Sequence, residues 1–137
     1  MSALQELLEV TQQPGVDPGL PAVEVRGHQA IITLNRPDHR NRLSPVDIKR
    51  ITEALDVLEQ EPDIRSIVFT GRGEVFCSGF NLNVFYDNLV VDKAGRQREV
   101  KAEDNFFGDF TQRVEDCSLP TILAANGPVY GGGTDVA

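Results

Sequence analysis

SIVFTGRGEVFCSGFNL, residues 66–82, changes character at Gly71, where a run of β-branched and aromatic residues gives way to a glycine-bearing segment. Residues 65–71 predict a buried strand, and the residues after Gly71 predict a loop leaving its end. A second junction of this kind lies downstream. TILAAN, residues 121–126, predicts a strand, and GPVYGGGTDVA, residues 127–137, sets three consecutive glycines before Thr134 and Asp135. Backbone stripped of side chains admits a close neighbour. That neighbour could be a phosphate, a substrate carbonyl, or another strand in a tight turn.

Outward from these junctions the pattern alternates. Ser44, Pro45 and Asp47 form a helix start: a hydroxyl cap, a proline where its missing N–H costs nothing, and an acid near the positive end. Ile48, Ile51, Leu55 and Leu58 then share one helical face. Val100, Phe107, Phe110, Val114 and Cys117 line a second amphipathic helix, which contains Gly108 and stops before Pro120. A helix between the two strands predicts that they run parallel. Upstream, residues 22–35 read as a hairpin, turning at Gly27 and His28. Leu4, Leu7 and Leu8 suggest a short helix that TQQPGVDPGLP interrupts, so residues 1–21 read as a mobile N-terminal extension. The order is two strands, helix, strand, glycine loop, helix, strand, glycine loop. This is an α/β arrangement with both loops at strand exits on one edge.

With 137 residues, 40% hydrophobic and 25% charged, the chain suits one domain with its own core. A formal net charge of -8 argues against a nucleic-acid partner. Local donors can still hold a small polyanion. Cys77 and Cys117 show neither a CxxC spacing nor a neighbouring histidine, so they read as reduced, buried thiols, and no metal site is expected. The first ten residues carry no Lys or Arg, unlike a secretory or transit peptide, and no apolar run approaches a membrane span. A cytoplasmic protein with no membrane partner is expected.

For nucleotide phosphates the loops are poorly built. GRGEVF has Phe76 in place of the third glycine of a dinucleotide fingerprint, although Asp92 sits at a tolerable distance for a ribose acid. GGGTDVA lacks the lysine of a Walker loop. Alternatively, each loop turns one backbone N–H toward the same point, where the pair would stabilise negative charge developing on a carbonyl oxygen.

GRGEVFCSGFNL resembles the first oxyanion-loop motif of the crotonase, or enoyl-CoA hydratase/isomerase, superfamily, and LPTILAANGPVYGGGTDVA resembles the second. NRPDHRNRLS, residues 35–44, is similar to an early segment of the same family. The resemblance covers residues 22–137. It implies a crotonase-like α/β core of repeated ββα units, with residues 22–137 as the N-terminal part of that domain and the remainder absent. By similarity, the N–H groups of Phe80 and Gly132 would form the oxyanion hole for an acyl-CoA thioester. Ser78, Asn81 and Leu82 would line the pantetheine and adenine side. Arg40 and Arg42 would approach the phosphates of coenzyme A, or else stand as solvated surface arginines. No cofactor is bound permanently, since coenzyme A belongs to the substrate.

Hydratases of this family share proton transfer between two glutamates. Asp135 stands where the first is found, one methylene shorter, and it also fits as a first-turn carboxylate favoured by a helix dipole. The second would lie beyond Ala137. The resemblance thus implies hydration or isomerisation of enoyl-CoA by a full-length, trimeric or hexameric enzyme, the 137 residues alone being expected not to turn over. Three alternatives remain open. They are another crotonase reaction such as hydrolysis or decarboxylation, a non-catalytic acyl-CoA-binding chain, and a nucleotide-binding α/β domain.

Overall fold

A computed structural model describes residues 2–81, 106–131, 133, 134 and 137. Their elements are α1 (Ala3–Glu9), a 3-10 turn (Val10–Gln12), β1 (Ala22–Arg26), β2 (Gln29–Leu34), a second 3-10 turn (Pro37–His39), α2 (Pro45–Glu59), β3 (Ser66–Gly71), α3 (Phe106–Glu115) and β4 (Thr121–Leu123). The described strands form one sheet in chain order. β1 and β2 are an antiparallel hairpin, while β2, β3 and β4 run parallel. The expected α/β arrangement holds. Val100 and Asp92 lie outside the described residues, and the strand expected over 121–126 is shorter, ending at Leu123.

Alternation and helical spacing build the core. Val23, Ala30, Ile32, Leu34, Ile67 and Phe69 point inward from the sheet, and Ile48, Ile51, Ala54, Leu55 and Leu58 meet them from one face of α2. Phe110 and Val114 of α3 complete the same cluster. At the predicted start of α2 the Ser44 N–H donates to the Asp47 carboxylate at 2.9 Å, closing a capping box. Arg113 ties α3 to α2 through Asp56 and Glu59, both at 2.8 Å.

The N-terminal segment, described from residue 2, packs against the rest of the chain. Leu7 is buried, and the buried guanidinium of Arg50 donates to the carbonyls of Leu7 (2.8 Å) and Pro21 (3.2 Å). A buried arginine needs acceptors for its donors, and this segment supplies them. Arg36 adds a second tether by pairing with Asp17 at 2.7 Å and with the buried Asp47 at 3.0 Å. No helix among the described residues is long and apolar enough to cross a membrane.

Candidate functional site

Because β2, β3 and β4 are parallel, the segments after them all leave from the carboxyl end of the sheet. Three of these segments lie side by side as strips: residues 40–43, which begin with Arg40 and Asn41 in the left-handed conformation, residues 76–81, and residues 128–130. On one flank of the middle strip, Ser78 N–H donates to Arg40 (2.9 Å), Leu43 N–H to Gly79 (2.8 Å), and Asn81 N–H to Leu43 (2.8 Å). On the other, Phe76 N–H donates to Pro128 (3.0 Å) and Tyr130 N–H to Cys77 (2.9 Å). Phe80 is paired with Leu43, and Cys77 with Val129, as parallel bridges. In the first of these, Leu43 bonds to the residues on either side of Phe80, so the amide of Phe80 itself faces away from Leu43. No acceptor among the described residues takes that N–H.

The neighbour of the second loop's bare backbone is the first loop. A Cβ added at Gly127 would strike the carbonyl oxygen of Glu74. One at Gly133 would stand 3.0 Å from both Cβ and the carbonyl oxygen of Cys77 and 3.1 Å from its Sγ. One at Gly131 would lie 3.8 Å from the carbonyl oxygen of Ser78. Thus the two loops pack backbone to backbone. In the first loop Gly79 has φ +106°, a conformation open to glycine and costly for other residues.

The expected site residues divide into three groups. Phe80 is half-buried and its ring stacks on that of Phe107, with centroids 4.0 Å apart, so its side chain serves packing while its amide has no acceptor among the described residues. Ser78 is half-buried beside it, and Asn81 donates from Nδ2 to the Ser44 hydroxyl at 3.2 Å, which ties it to the start of α2. Arg40 is exposed and Arg42 half-buried at the same end of the sheet, and among the described residues neither has an ion-pair partner. Gly132, Asp135 and Leu82 lie outside the described residues.

Two asparagines went unremarked in the sequence. Asn41 is buried with φ +54°; its Oδ1 accepts from Arg36 N–H at 2.8 Å, and its Nδ2 donates to the carbonyls of Arg72 (2.9 Å) and Val75 (2.8 Å). Asn126 donates from Nδ2 to the carbonyls of Gly73 (2.8 Å) and Val75 (3.1 Å). The available signal was weak, since asparagine in a polar loop ordinarily marks only a turn or a left-handed residue. Cys77 is fully buried beneath Gly133 and burial pushes its thiol up, away from the reactive thiolate. Cys117 is half-buried with its thiol also raised by burial. Among the described residues no group of three or more His, Cys, Asp or Glu side chains could hold a metal ion.

A family model described as enoyl-CoA hydratase/isomerase matches residues 26–137. The chain is 34% identical over 118 residues to enoyl-CoA hydratase EchA19 of Mycobacterium tuberculosis, covering 83% of this chain and 41% of the relative. It is 31% identical over 110 residues to the peroxisomal Delta(3,5)-Delta(2,4)-dienoyl-CoA isomerase of Arabidopsis thaliana, covering 77% of this chain and 40% of that protein. A crystal structure of an enoyl-CoA hydratase from M. tuberculosis superposes with a TM-score of 0.67 at 30% identity, over 87% of this chain and 42% of that one. The chain spans less than half the length of the curated relatives it matches.

Proposed function

This chain belongs to the enoyl-CoA hydratase/isomerase family, and on that premise we propose that it processes acyl-CoA thioesters, hydrating or isomerising enoyl-CoA through an oxyanion hole formed by the N–H groups of Phe80 and Gly132. The observation that carries this proposal is the backbone-to-backbone contact of the two glycine loops, together with a Phe80 amide that faces away from Leu43 and has no acceptor among the described residues. When a base attacks the substrate, negative charge moves onto the thioester oxygen as an enolate. Backbone amides fixed in advance meet such charge without reorganising, and a single such donor is worth about 100- to 1,000-fold in rate.

Asp135 is assigned the proton traffic. In isomerisation its carboxylate takes a proton from the α carbon and returns it to the γ carbon, so no atom is gained or lost. In hydration it takes a proton from water as the water oxygen bonds to the β carbon, and a second acid protonates the α carbon. Coenzyme A enters and leaves with the acyl group, so no permanently bound cofactor is required. Arg40 and Arg42 are assigned to its phosphates, and Ser78, Asn81 and Leu82 to its pantetheine and adenine side. Asn81 would contribute through its backbone carbonyl, since its amide and side chain are engaged with Leu43 and Ser44. A cytoplasmic homo-oligomer, trimeric or hexameric, belongs to the same proposal.

Calorimetric titration with butyryl-CoA, a saturated thioester, tests the hole without turnover. Phe80→Ala keeps the amide and should hold affinity within about 3-fold, whereas Phe80→Pro removes the N–H and should weaken binding by about 5- to 10-fold. Equal affinities in the two variants, or no preference for butyryl-CoA over NAD and ATP, would overturn the proposal. Turnover is read from the loss of enoyl absorbance of crotonyl-CoA.

A further inference from the structure

Val75 is the residue on which both flanks of the first glycine loop converge. Its carbonyl accepts one hydrogen bond from Asn41, within the strip on one side, and one from Asn126, two residues before the strip on the other. The remaining Nδ2 hydrogens of the pair land on Arg72 and Gly73 of the same loop. The donation from Arg36 N–H to Oδ1 fixes which end of the Asn41 amide is the donor. Gly71 lies directly beneath, where a Cβ would stand 2.9 Å from both Asn126 Oδ1 and Asn41 Nδ2.

We propose that Asn41 and Asn126 are positioning residues that set the register of the Phe76–Asn81 strip between its neighbours, and thereby the direction of the Phe80 amide. The role in catalysis rests on the oxyanion-hole proposal above; the register does not. The strips are joined by isolated bridges and a few backbone bonds, which specify register weakly. A slip of one residue at the Leu43–Phe80 bridge exchanges which amides of the strip face Leu43. It would turn the Phe80 N–H toward Leu43 and remove it from the site. Four side-chain donors converging on residues 72, 73 and 75 resist that slip at the point where the strip begins.

The test uses the full chain labelled with 15N at phenylalanine. In Asn126→Ala and Asn126→Asp the amide resonance of Phe80 should move and broaden, while that of Phe69, within β3, stays in place and reports the fold. Acidifying Asn126→Asp should return the Phe80 resonance part of the way, because a protonated carboxyl donates one hydrogen bond. Asn41→Asp should behave alike; should it fail to fold, the exposed position 126 carries the test alone. A Phe80 resonance unmoved in folded Asn126→Ala and Asn126→Asp overturns the proposal. The infrared stretch of 13C-carbonyl butyryl-CoA separates the two levels. Binding to the wild type should lower it, and Asn126→Ala should return it toward the free value with affinity held within about 10-fold. Lowering that persists unchanged in Asn126→Ala counts against the positioning role. Absence of lowering in the wild type, with the Phe80 response intact, supports the register and removes the oxyanion hole.

Discussion

In the first glycine loop the glycine at position 79 answers a backbone angle, φ +106°, whereas in the second loop Gly127 and Gly133 answer a neighbour, the backbone of the first loop at Glu74 and Cys77. The first loop is braced on both flanks, by residues 40–43 and by residues 128–130. Among the described residues, the second is braced through the first. One residue type therefore serves two physical ends. At position 79 glycine relieves a torsional cost within the chain, and at 127 and 133 it clears space between segments that the sequence separates by about fifty residues.

The sharpest way to break this contrast is Gly127→Ala. Its Cβ meets a backbone carbonyl, which cannot rotate away, so a loss of about 3 kcal/mol is expected, the upper end of ordinary overpacking. Urea unfolding measures it, and a loss below about 1 kcal/mol would mean that the loops are not in contact. Gly79→Ala should cost about 2 kcal/mol through torsional strain. It should also disturb butyryl-CoA binding, because the Phe80 amide follows directly.

Gly133→Ala sharpens the comparison further. The neighbouring Cys77 sulfur is one of three tight contacts, so the substitution should cost about 1 to 2 kcal/mol. Combined with Cys77→Ala it should show a favourable coupling of about 0.5 to 1 kcal/mol in a double-mutant cycle; strict additivity would place the strain elsewhere.

The smallest effect concerns the helix that leads into β4 and the second loop. Burial alone would raise the Glu59 carboxyl, but hydrogen bonds from Arg113, the Cys117 thiol and the Ser118 N–H hold it below the ordinary glutamate value of 4.5. A carboxyl depressed in the folded state stabilises above its unfolded value, and that contribution is lost as pH falls through the lower folded value. Glu59→Gln should therefore flatten the acid limb of a stability profile below about pH 4.5, by less than about 1 kcal/mol for a pair so near the surface. An unchanged acid limb would show that this bridge contributes nothing to how the second loop is delivered.

Much of the fold was legible because its signals are local. The hairpin followed from alternation around Gly27, the start of α2 from Ser44, Pro45 and Asp47, and the parallel pairing of β3 and β4 from the helix between them. Phe80, Ser78, Asn81, Arg40 and Arg42 do gather at one end of the sheet. What stayed hidden was the use of polar side chains across long separations. Nothing local distinguishes Asn41 from any turn asparagine, or shows that Arg50 would hold the N-terminal segment by the carbonyls of Leu7 and Pro21. Asn81 likewise reads as open to a ligand until the Ser44 hydroxyl is seen to engage it.

Sequence alone determined where strands, helices and bare backbone occur, because periodicity, caps and glycine act within a few residues. Only the tertiary structure decided which backbone each glycine lies against and which carbonyls the asparagines hold. Those facts depend on segments brought together by a shared core, and no short stretch of chain carries the distance between them.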